Sequence, residues 1–236
     1  MNLFFTPAAQ SYTPTWHGDD LANNWNILDD CNWSDGISLL YPFQNGDPVV
    51  FDDTGSTAPA VNLSGSLRPA SVSVSSSRQY TFSGGGSLDG GMALTKAGSG
   101  TLIINTTNHF TGATTVSNGT LLVHGALTFS PVTVRSGATL GGNGRLGGSV
   151  SALSGSTLTP GNGIGAPGTL TITNTLALSG GVTNRFDLSD DPSGTIKTND
   201  IIRVFGNLNA SGVNLLKFSL LDGLPGNGVY TLITYS

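Results

Sequence analysis

Leu102, Leu121, Leu140, Leu158 and Leu176 follow one another at steps of 19, 19, 18 and 18 residues. A step near 20 that recurs marks a solenoid, with one supersecondary unit per turn. No single turn can bury its apolar face, so each is held by its neighbours. The units are strand-like: Leu102-Ile-Ile104, Thr114-Thr-Val116, Leu121-Leu-Val123, Val132-Thr-Val134, Leu170-Thr-Ile172 and Leu176-Ala-Leu178. Upstream, Ala70-Ser-Val-Ser-Val-Ser75 alternates strictly, as a half-buried strand does. Gly-Thr-Leu recurs at Gly100, Gly119 and Gly168, with looser forms at Gly137–Leu140 and Gly155–Leu158. Gly98, Gly112, Gly119, Gly137 and Gly155 fall at the corners. The reading is an all-β chain: a parallel β-helix, or β-solenoid, over residues 51–236 with about 18–20 residues per turn.

Residues 94–123 carry a fuller pattern. Leu94, Lys96, Gly98, Gly100, Thr101, Leu102 and Ile104 are followed by Asn108, Phe110, Thr111, Gly112, Thr114 and Val116, then Gly119, Thr120, Leu121 and Val123. This resembles the autotransporter-associated β-strand repeat, or passenger-associated transport repeat. The resemblance implies a right-handed parallel β-helix in a secreted or cell-surface bacterial protein. It implies no enzyme activity and names no ligand.

Charged residues make up 10% of the chain, against roughly 25% in ordinary soluble domains. The 34 glycines follow no Gly-X-Y period, which excludes collagen, and the alternating strands can bury enough apolar surface to argue against disorder. Net charge is −5 and only nine Lys and Arg are scattered over the chain. That excludes the basic stripe of a nucleic-acid binder and attraction to anionic lipid. No run of about 20 apolar residues is present to span a membrane as a helix. Met1-Asn-Leu-Phe-Phe-Thr-Pro7 lacks a basic n-region and a long apolar stretch, so a secreted form is expected to be already mature. A C-terminal membrane barrel of alternating strands is not expected within this chain. A lone cysteine, Cys31, excludes an intramolecular disulfide and reads as a small buried residue.

Residues 1–50 hold Trp16, Trp25 and Trp33 among Asn, Asp and Gly turns. They read as an irregular aromatic N-terminal cap over the apolar end of the stack. The competing reading is a carbohydrate platform of exposed indoles. Thr159–Gly168 reads as a loop projecting from one turn, and Ser189–Asp200 as a solvated acidic turn. Asp190, Asp191 and Asp200 could offer oxygens to Ca²⁺, but their spacing is not that of an EF-hand. Gly141–Gly148 superficially resembles a phosphate loop but is followed by no helix pattern.

The turns from Leu94 to Gly181 contain no Asp or Glu, so the carboxylate pair of a glycoside hydrolase has no place there. Asp52 and Asp53 are adjacent, and His17, His109 and His124 are isolated. No catalytic, cofactor or metal residues are assigned, and the chain is not expected to be an enzyme. The expected role is structural: a stalk, fibre or surface-layer subunit. Val229–Ser236 reads as an uncapped strand whose edge templates end-to-end stacking into a homopolymer, with residues 1–12 adding to a neighbour. The alternative is an adhesin-like passenger segment that binds cell-surface polysaccharide.

Overall fold

The structure, a computed structural model, describes residues 13–35, 40–196 and 198–236. The described residues contain strands and turns but no helix. The strands stack into three long faces of a β-solenoid. The first face is an eleven-stranded sheet and the second a nine-stranded sheet. The third comprises six strands, preceded by the pair Ser66–Leu67 and Ser87–Leu88.

Local sequence sets which side faces in. In Ser71–Ser75 the two valines are buried and the serines face out. In Tyr80–Gly84, Tyr80 and Phe82 point inward between small polar residues. Period-two alternation puts each strand's apolar set on one side, and parallel stacking superposes those sets into one continuous core.

The register explains the leucine repeat. Leu102, Leu121, Leu140 and Leu158 pair in turn along the second sheet. Leu176 does not extend this column. The position opposite Leu158 is Asn184, while Leu176 lies in the first sheet between Val150 and Leu208. The third Gly-Thr-Leu is displaced too: Thr169–Ile172 lies in the third sheet, where Ile172 pairs with Leu146. The cause is loop insertion. In the first sheet, aligned positions advance from Leu94 to Thr114, Val132 and Val150, steps of 20, 18 and 18 residues. They then advance to Leu176 and Leu208, steps of 26 and 32. The expected turn length therefore holds for the central turns. The later turns carry the loop after Pro160 and the loop after Leu188.

The corner glycines are required for two different reasons. Gly119 has φ +66°, a region that costs little only without a Cβ. Gly112 has an ordinary φ, but a Cβ there would overlap the Met92 carbonyl of the turn below.

The N-terminal end departs from the parallel rule. Thr15–Trp16 still pairs in parallel with Pro48–Phe51. Beyond it, Trp33–Ser34 and then Leu40–Tyr41 run antiparallel. The sheet thus continues through residue 50, and the boundary drawn at 50/51 falls inside the strand Pro48–Phe51.

Candidate functional site

Trp16, Trp25 and Trp33 are all 0% exposed. Trp16 meets Trp33 edge-on at 5.1 Å between ring centres, and Trp25 meets Trp33 at 5.2 Å. Phe51 joins all three at 5.5 Å and continues the cluster to Phe82 at 4.9 Å. The Trp16 indole donates to the Ser56 carbonyl at 2.9 Å. The Trp25 and Trp33 indole N–H groups are buried without an acceptor among the described residues. No ring face is open to a sugar. Aromatic edges packed on faces fill the end of the stack instead, as a cap does. Cys31, on this same cap, is exposed. The expectation of a buried cysteine fails because it lies in an irregular turn, where no period-two alternation turns it inward.

Several residues that carry the 94–123 pattern turn out to be internal staples. Lys96 is 0% exposed. Its Nζ donates to the carbonyls of Ala97 at 2.7 Å, Gly98 at 2.9 Å and Asn118 at 3.2 Å, tying one corner to the next turn. Asn108, also 0% exposed, accepts from Leu88 N at 2.9 Å and donates to the Thr106 carbonyl at 3.0 Å, linking the two-stranded pair to the six-stranded part of the third face. Thr114 and Ser130 share a buried hydroxyl contact of 2.8 Å, and Ser130 donates to the Gly112 carbonyl at 2.7 Å. Each is a buried polar group with its partner supplied by an adjacent turn.

Burial brings the Lys96 ammonium down to about 8. A base held below its unfolded value of 10.5 favours folding fully only above that value, and the contribution is lost as pH falls through 8. Wild type should therefore gain about 3 kcal/mol relative to Lys96→Met between pH 8 and 10.5. Denaturant melts of both proteins across that range check this; a constant difference would refute it.

Burial also distinguishes the acids of the two late loops. Asp187 and Asp200 are 3% and 1% exposed. Asp200 accepts from Gly168 N at 2.7 Å and from Asp187 N at 2.8 Å. Asp187 accepts from Gly165 N at 2.5 Å. The pair pins the loop after Pro160 to the strand Thr183–Leu188. Asp191 is used elsewhere, capping Ser193 N at 3.0 Å and Ile196 N at 2.7 Å, and Asp190 is exposed. Asp190, Asp191 and Asp200 do not converge; among the described residues no three His, Cys or Asp side chains gather as metal ligands. Asp187 escaped the reading from sequence because alternation gives no sign that an acid within a strand will point inward.

The remaining candidates lie apart. His109 Nδ1 is 3.1 Å from Asp89 Oδ1. Ser66 and Ser87 donate to the same carboxylate at 2.5 and 2.8 Å. Burial would raise the Asp89 carboxyl, but these hydroxyls and His109 outweigh it and hold it below its ordinary value. Both serines bond the carboxylate rather than the imidazole, so the arrangement activates no nucleophile. His17 Nδ1 contacts the Gly18 carbonyl at 2.7 Å, and His124 lies between Asn143 and Asn162 at 2.7 and 3.1 Å. Asp52 and Asp53 follow the strand and cap turns: Asp52 accepts from Thr54 N at 2.8 Å and Asp53 from Ser77 N at 2.7 Å. In Gly141–Gly148 the N–H groups of Gly144 and Gly147 donate to Val123 and Leu127 carbonyls at 2.8 Å. They serve the ladder and are not free to cradle phosphate.

Leu215–Leu220 is the last strand of the second sheet among the described residues. On the strand Leu215–Leu220, Leu216 and Phe218 are 51% and 50% exposed. Phe218, Leu220, Tyr230 and Leu232 line an apolar depression of about 520 Å³. The uncapped strand expected over Val229–Ser236 is reduced to Ile233–Thr234, which pairs with Ile201–Val204 in the third face; the exposed apolar strand is Leu215–Leu220 instead, because that is where the second sheet ends.

Three parallel faces, an aromatic plug at one end and internal polar staples define a β-solenoid. A family model, the passenger-associated-transport-repeat, matches residues 94–123. The match begins in the first-sheet strand Ala93–Ala97 and ends in the second-sheet strand Thr120–Val123, so it spans one full turn and part of the next. No curated protein matches the chain. The repeat and the fold fit a bacterial surface protein of the passenger kind.

Proposed function

We propose that this chain is a structural β-solenoid of a secreted or cell-surface bacterial protein, a rigid rod without enzymatic activity that associates end to end. The exposed apolar face of the strand Leu215–Leu220 carries the reading. At the other end, the aromatic cluster fills the core. An open solenoid edge presents both unpaired backbone groups and apolar side chains to another chain. A second copy offering the same edge satisfies both, and a self-complementary contact closes as a dimer. Head-to-tail growth into filaments would instead use residues 1–12, which lie outside the described residues.

Analytical ultracentrifugation and electron microscopy over a concentration series test this. Rods of doubled length are the expected product, and Phe218→Asp should return them to single length. Filaments would establish the head-to-tail polymer. A strict monomer at high concentration would sink the association. The adhesin reading through a tryptophan platform has no surface to act on, because all three indoles are buried.

A further inference from the structure

The outer side of the second sheet carries a column of threonines in strict register. Thr101, Thr120, Thr139, Thr157 and Thr183 lie on five successive strands. Strands are about 4.8 Å apart, so the column runs roughly 19 Å along the solenoid. None of the five hydroxyls has a hydrogen-bond partner among the described residues, although each can donate once and accept twice.

Beside this column the face becomes a cleft of about 330 Å³. Leu122 and Gly141 pair in register and Thr159 follows Gly141; Leu122 and Thr159 close over Gly141, where a Cβ would not fit, and both line the cleft floor. Gly163 and Ile164 stand along one side. That wall is built in: its loop is anchored through Gly165 N on Asp187 and Gly168 N on Asp200. Arg185 also lines the cleft. Its Nε is buried without an acceptor, and no carboxylate lies within ion-pair distance of its guanidinium among the described residues. A partly buried guanidinium with no carboxylate partner, beside a row of threonine hydroxyls, can take an anion. Lys217 lies in register with Arg185 on the next strand and adds a second, exposed cation.

We propose that this cleft binds a carboxylate-bearing polysaccharide, its sugar hydroxyls along the threonine column and a uronate carboxylate on Arg185. A planar guanidinium matches a carboxylate in bidentate fashion, and hydroxyl ladders exchange hydrogen bonds with sugars as readily as with water. A nucleic-acid strand fits less well. No aromatic ring lines the cleft to stack a base. The site faces sideways from the rod, so it does not rest on the end-to-end association.

The test is isothermal titration calorimetry of the full chain with tetragalacturonate, a neutral galactose tetramer and a single-stranded oligonucleotide tetramer. The uronate should bind at least tenfold more tightly than either of the others, and Arg185→Gln should erase that preference while the melting transition stays in place. Thr120→Val with Thr139→Val keeps the β-branched shape and removes two hydroxyls; it should weaken uronate binding several-fold. No saturable heat from the uronate overturns the proposal. So does a preference that survives Arg185→Gln, or oligonucleotide binding equal to the uronate's. Should Arg185→Gln fail to fold, the threonine variant decides, and unchanged affinity there overturns the proposal.

Discussion

Trp16→Ala should destabilise the fold by roughly 3–5 kcal/mol, the usual cost of truncating a large buried aromatic. The ring is 0% exposed and packs on Phe51 and Trp33. Its removal also leaves the Ser56 carbonyl without the indole donor that it now accepts from at 2.9 Å. A milder pair of variants separates packing from hydrogen bonding. Phe in place of Trp16 keeps much of the ring but orphans a buried acceptor, a loss of about 1–3 kcal/mol. Phe in place of Trp25 removes an indole N–H that already has no acceptor among the described residues, so it should be the better tolerated of the two. Because solenoid turns are held by nearest neighbours, hydrogen exchange should show protection lost first in the turns nearest the cap. Equal costs for the two Phe variants would show that the Ser56 bond contributes nothing.

Mild acid should stabilise this protein. Burial, together with the nearby Asp187 charge and against two backbone N–H donors, pushes the Asp200 carboxyl from 3.8 up to about 7. An acid raised in the folded state favours folding fully below its unfolded value, and that contribution is lost as pH climbs through 7. The difference is about 4 kcal/mol between pH 4 and pH 8. Asp19, Asp53 and Asp89 are all held below their ordinary value, so whatever they contribute is lost only at lower pH. Together with Lys96, whose window opens above pH 8, this places a stability minimum between about pH 7 and 8. Thermal melts from pH 4 to 9 check the sign. Asp200→Asn, which cannot titrate, should flatten the acid side of the curve whatever its own stability. A wild-type melting point that falls steadily from pH 8 to pH 5 would show that Asp200 is ionised throughout.

Much of the fold could be read from residues because β structure writes itself locally. Val72 and Val74 alternate with serine and are buried. Gly119 stands where φ is positive, and the column from Leu102 to Leu158 keeps register over four strands. The tryptophans were legible as a cap because an open stack needs covering. Reading failed where the phase changed. Leu176 follows the leucine spacing but occupies another face, because inserted loops advance the chain without altering the alternation of the strands around them.

The candidate sites were less legible, since they depend on which side chains the turns superpose. Lys96 looks like an ordinary polar position, yet it is enclosed by carbonyls from two turns. Arg185 and Thr120 are 65 residues apart in the chain and share one cleft only because stacking folds that distance into a few strand spacings. Period and alternation, which depend only on near neighbours, determined the solenoid and its inward faces, and the clustered tryptophans its aromatic plug. Which acids are buried and which cation lacks a partner were decided by the tertiary structure, because each depends on residues 18 to 32 positions away that meet only when the turns stack.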